Sequence, residues 1–209
     1  TSKFNLYQMD ITDREQVKIS IANFAESHNG QLNILINNAG VLFMGDFDAI
    51  PIDKHQLTFD VNVMGLMQLT HEAFLYLKAT KDSIVINLSS ASSAYGIPEL
   101  ASYSASKFAV KGFTEALELE WRKHNIYVID VVPPFVNTHM VNNQTQGAKI
   151  MEAMGVDLEA EDVADVILQQ IKHPKLHRAV GWQYKLLHSL NDFMPNWSQR
   201  LLIKIMSAS

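Results

Sequence analysis

Residues 84–120 read IVINLSSASSAYGIPELASYSASKFAVKGFTEALELE, and this stretch decides the fold. It opens as a strand: Ser83-Ile84-Val85-Ile86-Asn87-Leu88 is rich in the β-branched residues that suit a buried strand. The run stops at Ser89-Ser90, a loop with Gly96 and Pro98 follows, and a long helical pattern begins near Ala101. On that helix Tyr103 and Lys107 stand four apart and share one face. Ser90 falls at the carboxyl end of a strand, where open α/β sheets place their ligand crevice.

These three residue types suit proton transfer. A free tyrosine, with a pKa of about 10, is a poor base at neutral pH. An ammonium one helical turn away is expected to favour the phenolate and lower that value. The tyrosine then fits a proton donor or acceptor for an alcohol/carbonyl pair, and a serine hydroxyl beside it can hydrogen-bond the reacting oxygen. Taken alone, a Tyr and a Lys four apart on a helix are more often a packing pair with a solvated end. The rest of the chain decides between the two.

Ser90, thirteen residues before Tyr103, together with Tyr103-Ser-Ala-Ser-Lys107, resembles the active-site signature of the short-chain dehydrogenase/reductase family. Asn37-Asn38-Ala39-Gly40 is similar to that family's Asn-Asn-Ala-Gly motif. Asn62, within Asp60-Val61-Asn62-Val63-Met64-Gly65, matches its helix asparagine, and Asp10, within Met9-Asp10-Ile11-Thr12-Asp13, matches the acidic residue that touches adenine. The motifs appear in family order over nearly the whole chain. The resemblance implies Tyr103 as general acid/base, with Lys107 lowering its pKa and holding the nicotinamide ribose. It further implies Ser90 as the group that polarises the substrate oxygen and Asn62 as the carrier of a relay water. Asp10, Ile11, Asn38, Ala39, Gly40, Tyr103, Lys107, Val136 and Thr138 become the expected cofactor contacts. The cofactor is NADP or NAD, NADP ahead of NAD, and the assembly a homodimer or homotetramer.

The chain departs from the family pattern in two places. A strand, a Gly-rich turn of the Thr-Gly-x-x-x-Gly-x-Gly kind, a helix and a second strand are expected before residue 1 and are not in this sequence. That segment would cradle the pyrophosphate on a helix N-terminus and choose between NAD and NADP. The expectation is therefore one Rossmann-like domain over 1–209, a doubly wound α/β parallel sheet incomplete at its N-terminus, with 185–209 as an amphipathic tail. The second departure is Pro133-Pro134, where the family usually has Pro-Gly. Pro134 fixes φ and has no backbone N–H, so the turn must be rebuilt.

Composition agrees with this reading. With 47% hydrophobic and 19% charged residues over 209 positions, the chain has the make-up of one soluble globular domain. A net charge of −5 without a basic stripe argues against a nucleic-acid partner. The absence of cysteine excludes disulfides and thiolate metal sites, and the eight histidines show no metal-ligand spacing. No metal is expected. His139, after Thr138, reads as a substrate-pocket or surface residue.

Along the chain, Phe4–Met9 reads as a strand and Thr12-Asp13-Arg14-Glu15 as a capping box with Thr12 as N-cap. Asn33–Asn37 reads as a central parallel strand, Ile34-Leu35-Ile36 being apolar on both faces. Its end at Asn38-Ala39-Gly40 lets the backbone approach a ribose. A single long helix is expected from about His55 to Lys78, with Asn62 facing inward. Strands are expected at Ile126–Val132 and Arg178–Tyr184, a helix at Glu161–Lys172, and a lid at residues 139–156. The tail from Lys185 to Ser209 interleaves Leu190, Trp197, Leu201 and Ile205 with Arg200 and Lys204. It is too interrupted to span a membrane. It reads either as a packing helix or as an interfacial helix in peripheral contact with lipid, so the expected location is the cytoplasm, membrane-associated in the second case. These features together imply an oxidoreductase acting on an apolar or lipid-like alcohol or carbonyl. The alternatives are a non-catalytic scaffold of the same fold and a lipid-surface binding protein.

Overall fold

The structure, a computed structural model, describes residues 4–142, 144, 148–182, 184 and 195–207. Its centre is a parallel sheet of β1 (Ile34–Asn37), β2 (Ser83–Leu88), β3 (Ile126–Val132) and β4 (His177–Ala179), in that spatial order. α1 (Arg14–Glu26) precedes β1, and between the strands run α2 (Ile52–Phe59), α3 (Leu66–Lys78) and α4 (Ala101–Trp121), then α5 (His139–Asn142), α6 (Lys149–Met154) and α7 (Ala160–Lys172). The described C-terminal helix is α8 (Asn196–Met206).

Strand alternation sends side chains to two layers, as a doubly wound sheet requires. Leu35, Val85, Ile126 and Val128 face α1 and α3 and pack with Val17, Leu69, Ala73 and Leu77. Ile84, Ile86, Leu88, Ile129 and Val131 point the other way and meet Val163, Val166 and Ile167 of α7. The two layers bury the sheet between them, and burial of this apolar surface is the main stabilising contribution.

Several sequence expectations are corrected. Phe4–Met9 forms no strand, because no ladder of the sheet reaches it and an isolated extended segment is not stable as a strand. β1 is an edge strand among the described residues, with Leu35 buried and Ile34 and Ile36 exposed, since α7 covers only the strands further in. The N-cap of α1 is Asp13, not Thr12. The Asp13 carboxylate accepts from the backbone N–H groups of Glu15 and Gln16, while the Thr12 hydroxyl donates to Asp10. The last strand spans only His177–Ala179, because the chain reaches Gly181 at φ +77°, where an extended ladder cannot continue.

The expected single helix of residues 55–78 begins at Ile52 and is interrupted by a π-helical turn at Asp60–Gly65. Such turns concentrate at functional sites. Gly65 closes this one and lets α3 approach the loop at Ile11. A Cβ at Gly65 would lie 2.9 Å from Ile11 Cγ2 and 3.1 Å from the Ile11 carbonyl oxygen. Gly65→Ala is therefore expected to cost about 1–3 kcal/mol through overpacking, read as a lower midpoint in thermal unfolding.

Candidate active site

Three loops leave the carboxyl ends of adjacent strands and converge: 38–41 after β1, Ser89–Ser93 after β2, and Pro133–Thr138 after β3. Between them and α4 lies a cavity of about 320 Å³, lined by Asn38, Gly40, Ser90, Tyr103, Lys107, Val136 and Thr138 among others. The geometry thus gathers most of the residues singled out from sequence. Asn62, Asp10, Ile11 and Ala39 do not line it.

Each side chain is held by its local structure. Ser90 is extended (φ −164°, ψ 159°) and caps a 3₁₀ turn at Ala91–Ser93, its oxygen accepting from Ser92 N at 3.2 Å. Its hydroxyl hydrogen is thereby left to face the Tyr103 phenol, which shares the cavity lining and whose pKa Ser90 acts to lower. Two anchors fix the start of α4: Ser102 Oγ lies 2.6 Å from His55 Nδ1, and Ser104 Oγ accepts from Ile97 N at 3.1 Å. Tyr103, between them, is half-buried against Leu42, Ile97 and Leu100.

Lys107 is buried, and its Nζ donates to the Leu88 carbonyl at 2.7 Å and sits 5.5 Å from the Tyr103 ring centroid. Burial lowers its pKa to about 8, against the opposing pull of the Asp130 carboxylate. Burial likewise raises the Tyr103 phenol, and the Ser90 hydrogen bond opposes it. This corrects the expectation that Lys107 lowers the tyrosine: desolvation dominates and Ser90 supplies the counter-effect. The phenol is therefore neutral at neutral pH, a proton donor rather than a base.

Asn62 is fully buried, and its carboxamide grips the backbone of Val41. Val41 N donates to Oδ1 at 2.8 Å, and Nδ2 donates to the Val41 carbonyl at 2.9 Å and to Ser106 Oγ at 3.2 Å. Ser106 in turn donates to the Tyr103 carbonyl at 2.7 Å. One side chain thus ties the loop after β1 to the tyrosine's own helix turn. A Cβ at Gly40 would lie 3.3 Å from Asn62 Oδ1, so glycine keeps this junction tight and leaves the cavity side open.

Asp10 is exposed, and its carboxylate accepts from the Thr12 backbone N–H at 2.9 Å and hydroxyl at 2.8 Å, which hold its pKa low. Ile11 is a core residue. Ala39 is exposed, as is His139 at the start of α5. Among the described residues, no group of three or more His, Cys, Asp or Glu is placed to hold a metal ion.

Sequence reading missed the polar row that runs across the sheet beneath α4. Paired positions on adjacent strands are Asn37, Asn87, Asp130 and His177. Asn37 Nδ2 donates to Asn87 Oδ1 at 2.8 Å, Asn87 Nδ2 to Thr114 Oγ1 at 2.9 Å, and His177 Nδ1 lies 3.0 Å from both Asp130 carboxylate oxygens. The available signal was Asp130 itself, an acid inside the apolar run Ile126–Val132, since charge is buried only with a partner.

The sheet, its two helical layers and the crevice at the carboxyl strand ends define a Rossmann-like α/β protein. The chain belongs to the short chain dehydrogenase family, which residues 1–149 match. It is 31% identical over 170 residues to a 3-ketodihydrosphingosine reductase of Bacteroides thetaiotaomicron, covering 81% of this chain and 60% of that one. The chain thus spans about three-fifths of that relative's length. The fold is that of a 3-ketoacyl-(acyl-carrier-protein) reductase from Brucella melitensis complexed with NADH (TM-score 0.74, 22% identity, 83% of this chain and 75% of that one). It is also that of a gluconate 5-dehydrogenase from Burkholderia cenocepacia in complex with NADP and tartrate (TM-score 0.71, 20% identity, 82% and 71%).

Proposed function

We propose that this chain is the catalytic part of an NAD(P)-dependent oxidoreductase that interconverts an alcohol and a carbonyl on an apolar, lipid-like substrate. The observation that carries the reading is that Ser90, Tyr103 and Lys107 line one cavity, with Lys107 Nζ 5.5 Å from the Tyr103 ring centroid. A carbonyl oxygen placed between the two hydroxyls would be polarised by Ser90 and protonated by Tyr103. A bound nicotinamide supplies or accepts the hydride. Lys107 keeps donors beyond the one it gives Leu88, and these suit a ribose hydroxyl. Asn62 holds the loop of Gly40 against α4, with Ser106 as the link that would carry a relay. Asn38, Ala39, Gly40, Val136 and Thr138 would touch the nicotinamide half, and Asp10 and Ile11 the adenine end. NADP and NADH, each bound in one structure of this fold, are both candidates. A neutral Tyr103 favours reduction near neutral pH.

The apolar substrate rests on the chamber beside Tyr103. Its lining includes Leu42, Ile97, Phe135, Met140 and Val141, and Met44, Ile150 and, from α8, Ile203 and Met206 belong to the apolar cluster packed with them. The Bacteroides relative is by its name a 3-ketodihydrosphingosine reductase. The outer side of α8 supports peripheral contact with lipid. Trp197, Leu201 and Ile205, spaced four apart on one face, are 71%, 50% and 61% exposed. Arg200 and Lys204 are the charged groups of α8, and both are cationic. No described helix is long and apolar enough to cross a membrane. A homodimer or homotetramer is proposed from the family pattern, and Leu75 and Leu119, exposed on α3 and α4, are surfaces that such an assembly could cover.

Titrating NADPH and NADH against the full-length protein that contains this chain, by nicotinamide fluorescence, tests the cofactor reading. Saturable binding of either supports it, and binding of neither turns the reading to the scaffold alternative. Replacing Trp197, Leu201 and Ile205 together by serine is expected to weaken co-sedimentation with phosphatidylserine-containing vesicles by at least about tenfold. Equal sedimentation of the variant would remove the lipid-contact element, and equal binding of the wild type to purely zwitterionic vesicles would remove the part given to Arg200 and Lys204.

A further inference from the structure

We infer that Asp130 is a positioning residue for the proposed active site: its buried carboxylate, clamped by His177, keeps Lys107 an ammonium behind Tyr103. The inference rests on the oxidoreductase reading only for its consequence in turnover.

Lys107 is 6% exposed and Asp130 0%, so the chain buries two opposite charges around the same strand ends. Lys107 Nζ is fixed on the Leu88 carbonyl. Leu88 pairs with Val131, the residue after Asp130. Asp130 itself pairs with Asn87, whose amide is bonded to Thr114. Thr114 lies two helical turns beyond Lys107, so α4 is seated on the polar row by the same face that carries the lysine.

A buried carboxylate is retained only when hydrogen-bonded or paired. His177 Nδ1 meets both of its oxygens at 3.0 Å. His177 Nε2 continues to Glu115 Oε1 at 3.1 Å, toward solvent. The ionisable groups facing this cluster are Lys107, Lys111 and Glu115 from α4 and His177 from β4, with Tyr184 beyond β4. Their directions agree with the geometry. Asp130 opposes the lowering of Lys107 by burial, and its hydrogen bond raises His177.

A tie between β3 and β4 alone would explain the His177 contact, but not a change at Lys107 when Asp130 loses its charge. The test is therefore a direct reading of Lys107 in the full chain. Lysine labelled with ¹³C at Cε is titrated by NMR, with the Lys107 resonance assigned by its loss in Lys107→Arg. In the wild type the midpoint is expected at about 8. Asp130→Asn should lower it by about one unit or more. His177→Gln, which leaves the carboxylate in place, should move it less.

A folded Asp130→Asn protein with an unmoved Lys107 midpoint overturns the inference. If that variant does not fold, the wild type decides. Its Lys107 resonance should show a second, smaller inflection where His177 titrates, lost in His177→Gln. Absence of that inflection also overturns it. Because the readout is the lysine's charge, a shifted midpoint without hydride transfer would sink the oxidoreductase reading and leave this one standing.

Discussion

Tyr103→Phe is expected to cut turnover by about 10³-fold while nicotinamide binding and the melting temperature stay close to wild type. The phenol ring packs against Leu42, Ile97 and Leu100, and phenylalanine keeps that contact. Only the hydroxyl is lost, and with it the group that Ser90 hydrogen-bonds. Parallel measurement of kcat, KM and cofactor affinity separates the outcomes. A fall confined to kcat identifies a group acting in the transition state, whereas a rise confined to KM would assign Tyr103 to substrate binding. The neutral phenol also sets a direction in pH. Reduction should run at neutral pH and decline as pH rises through about 8, where Lys107 loses its proton.

Lys107→Met should abolish turnover and yet stabilise the protein, and this opposition of sign separates it from an ordinary core mutation. Burial lowers the lysine from 10.5 to about 8, so the native state binds this proton less tightly than the unfolded chain does. Stability from this group is therefore lowest below about pH 8 and rises with pH up to the unfolded value. At neutral pH the cost of the buried ammonium is on the order of 3 kcal/mol. Methionine removes that cost but leaves the Leu88 carbonyl without its donor, a loss of about 1 kcal/mol. The net is a gain of about 2 kcal/mol, or roughly 5 °C in Tm for a chain of this size. The gain should shrink as the pH of the melt is raised from 7 toward 10. A variant that is less stable than wild type at pH 7 would contradict this account of Lys107.

What was legible in the sequence was whatever local pattern decides. The run Ser83–Leu88, the helix of Tyr103 and Lys107, and the strand Ile126–Val132 all lie where periodicity puts them, and Ser90, Tyr103 and Lys107 share one cavity. What was not legible depends on partners distant in the chain. Phe4–Met9 has strand-like composition, but a strand exists only through a neighbour. Ile34 and Ile36 read as doubly buried, yet burial on the second face needs a covering layer that α7 does not extend to them. The π-helical turn at Asp60–Gly65 could not be seen in a helix-like pattern, and neither could the grip of its Asn62 on Val41, twenty-one residues away. The state of Tyr103 is not legible for a related reason. Spacing shows the charge of Lys107 one turn away but not that the site holding both groups desolvates both.

The most direct test of the proposed chemistry is isotope transfer. NADPH or NADH carrying deuterium at C4 of the nicotinamide is incubated with the protein and a long-chain ketone, and the alcohol formed is analysed by mass spectrometry. The account predicts one deuterium on the carbinol carbon with the wild type and no labelled alcohol with Tyr103→Phe. An unlabelled product, or equal labelling by the two proteins, would contradict it.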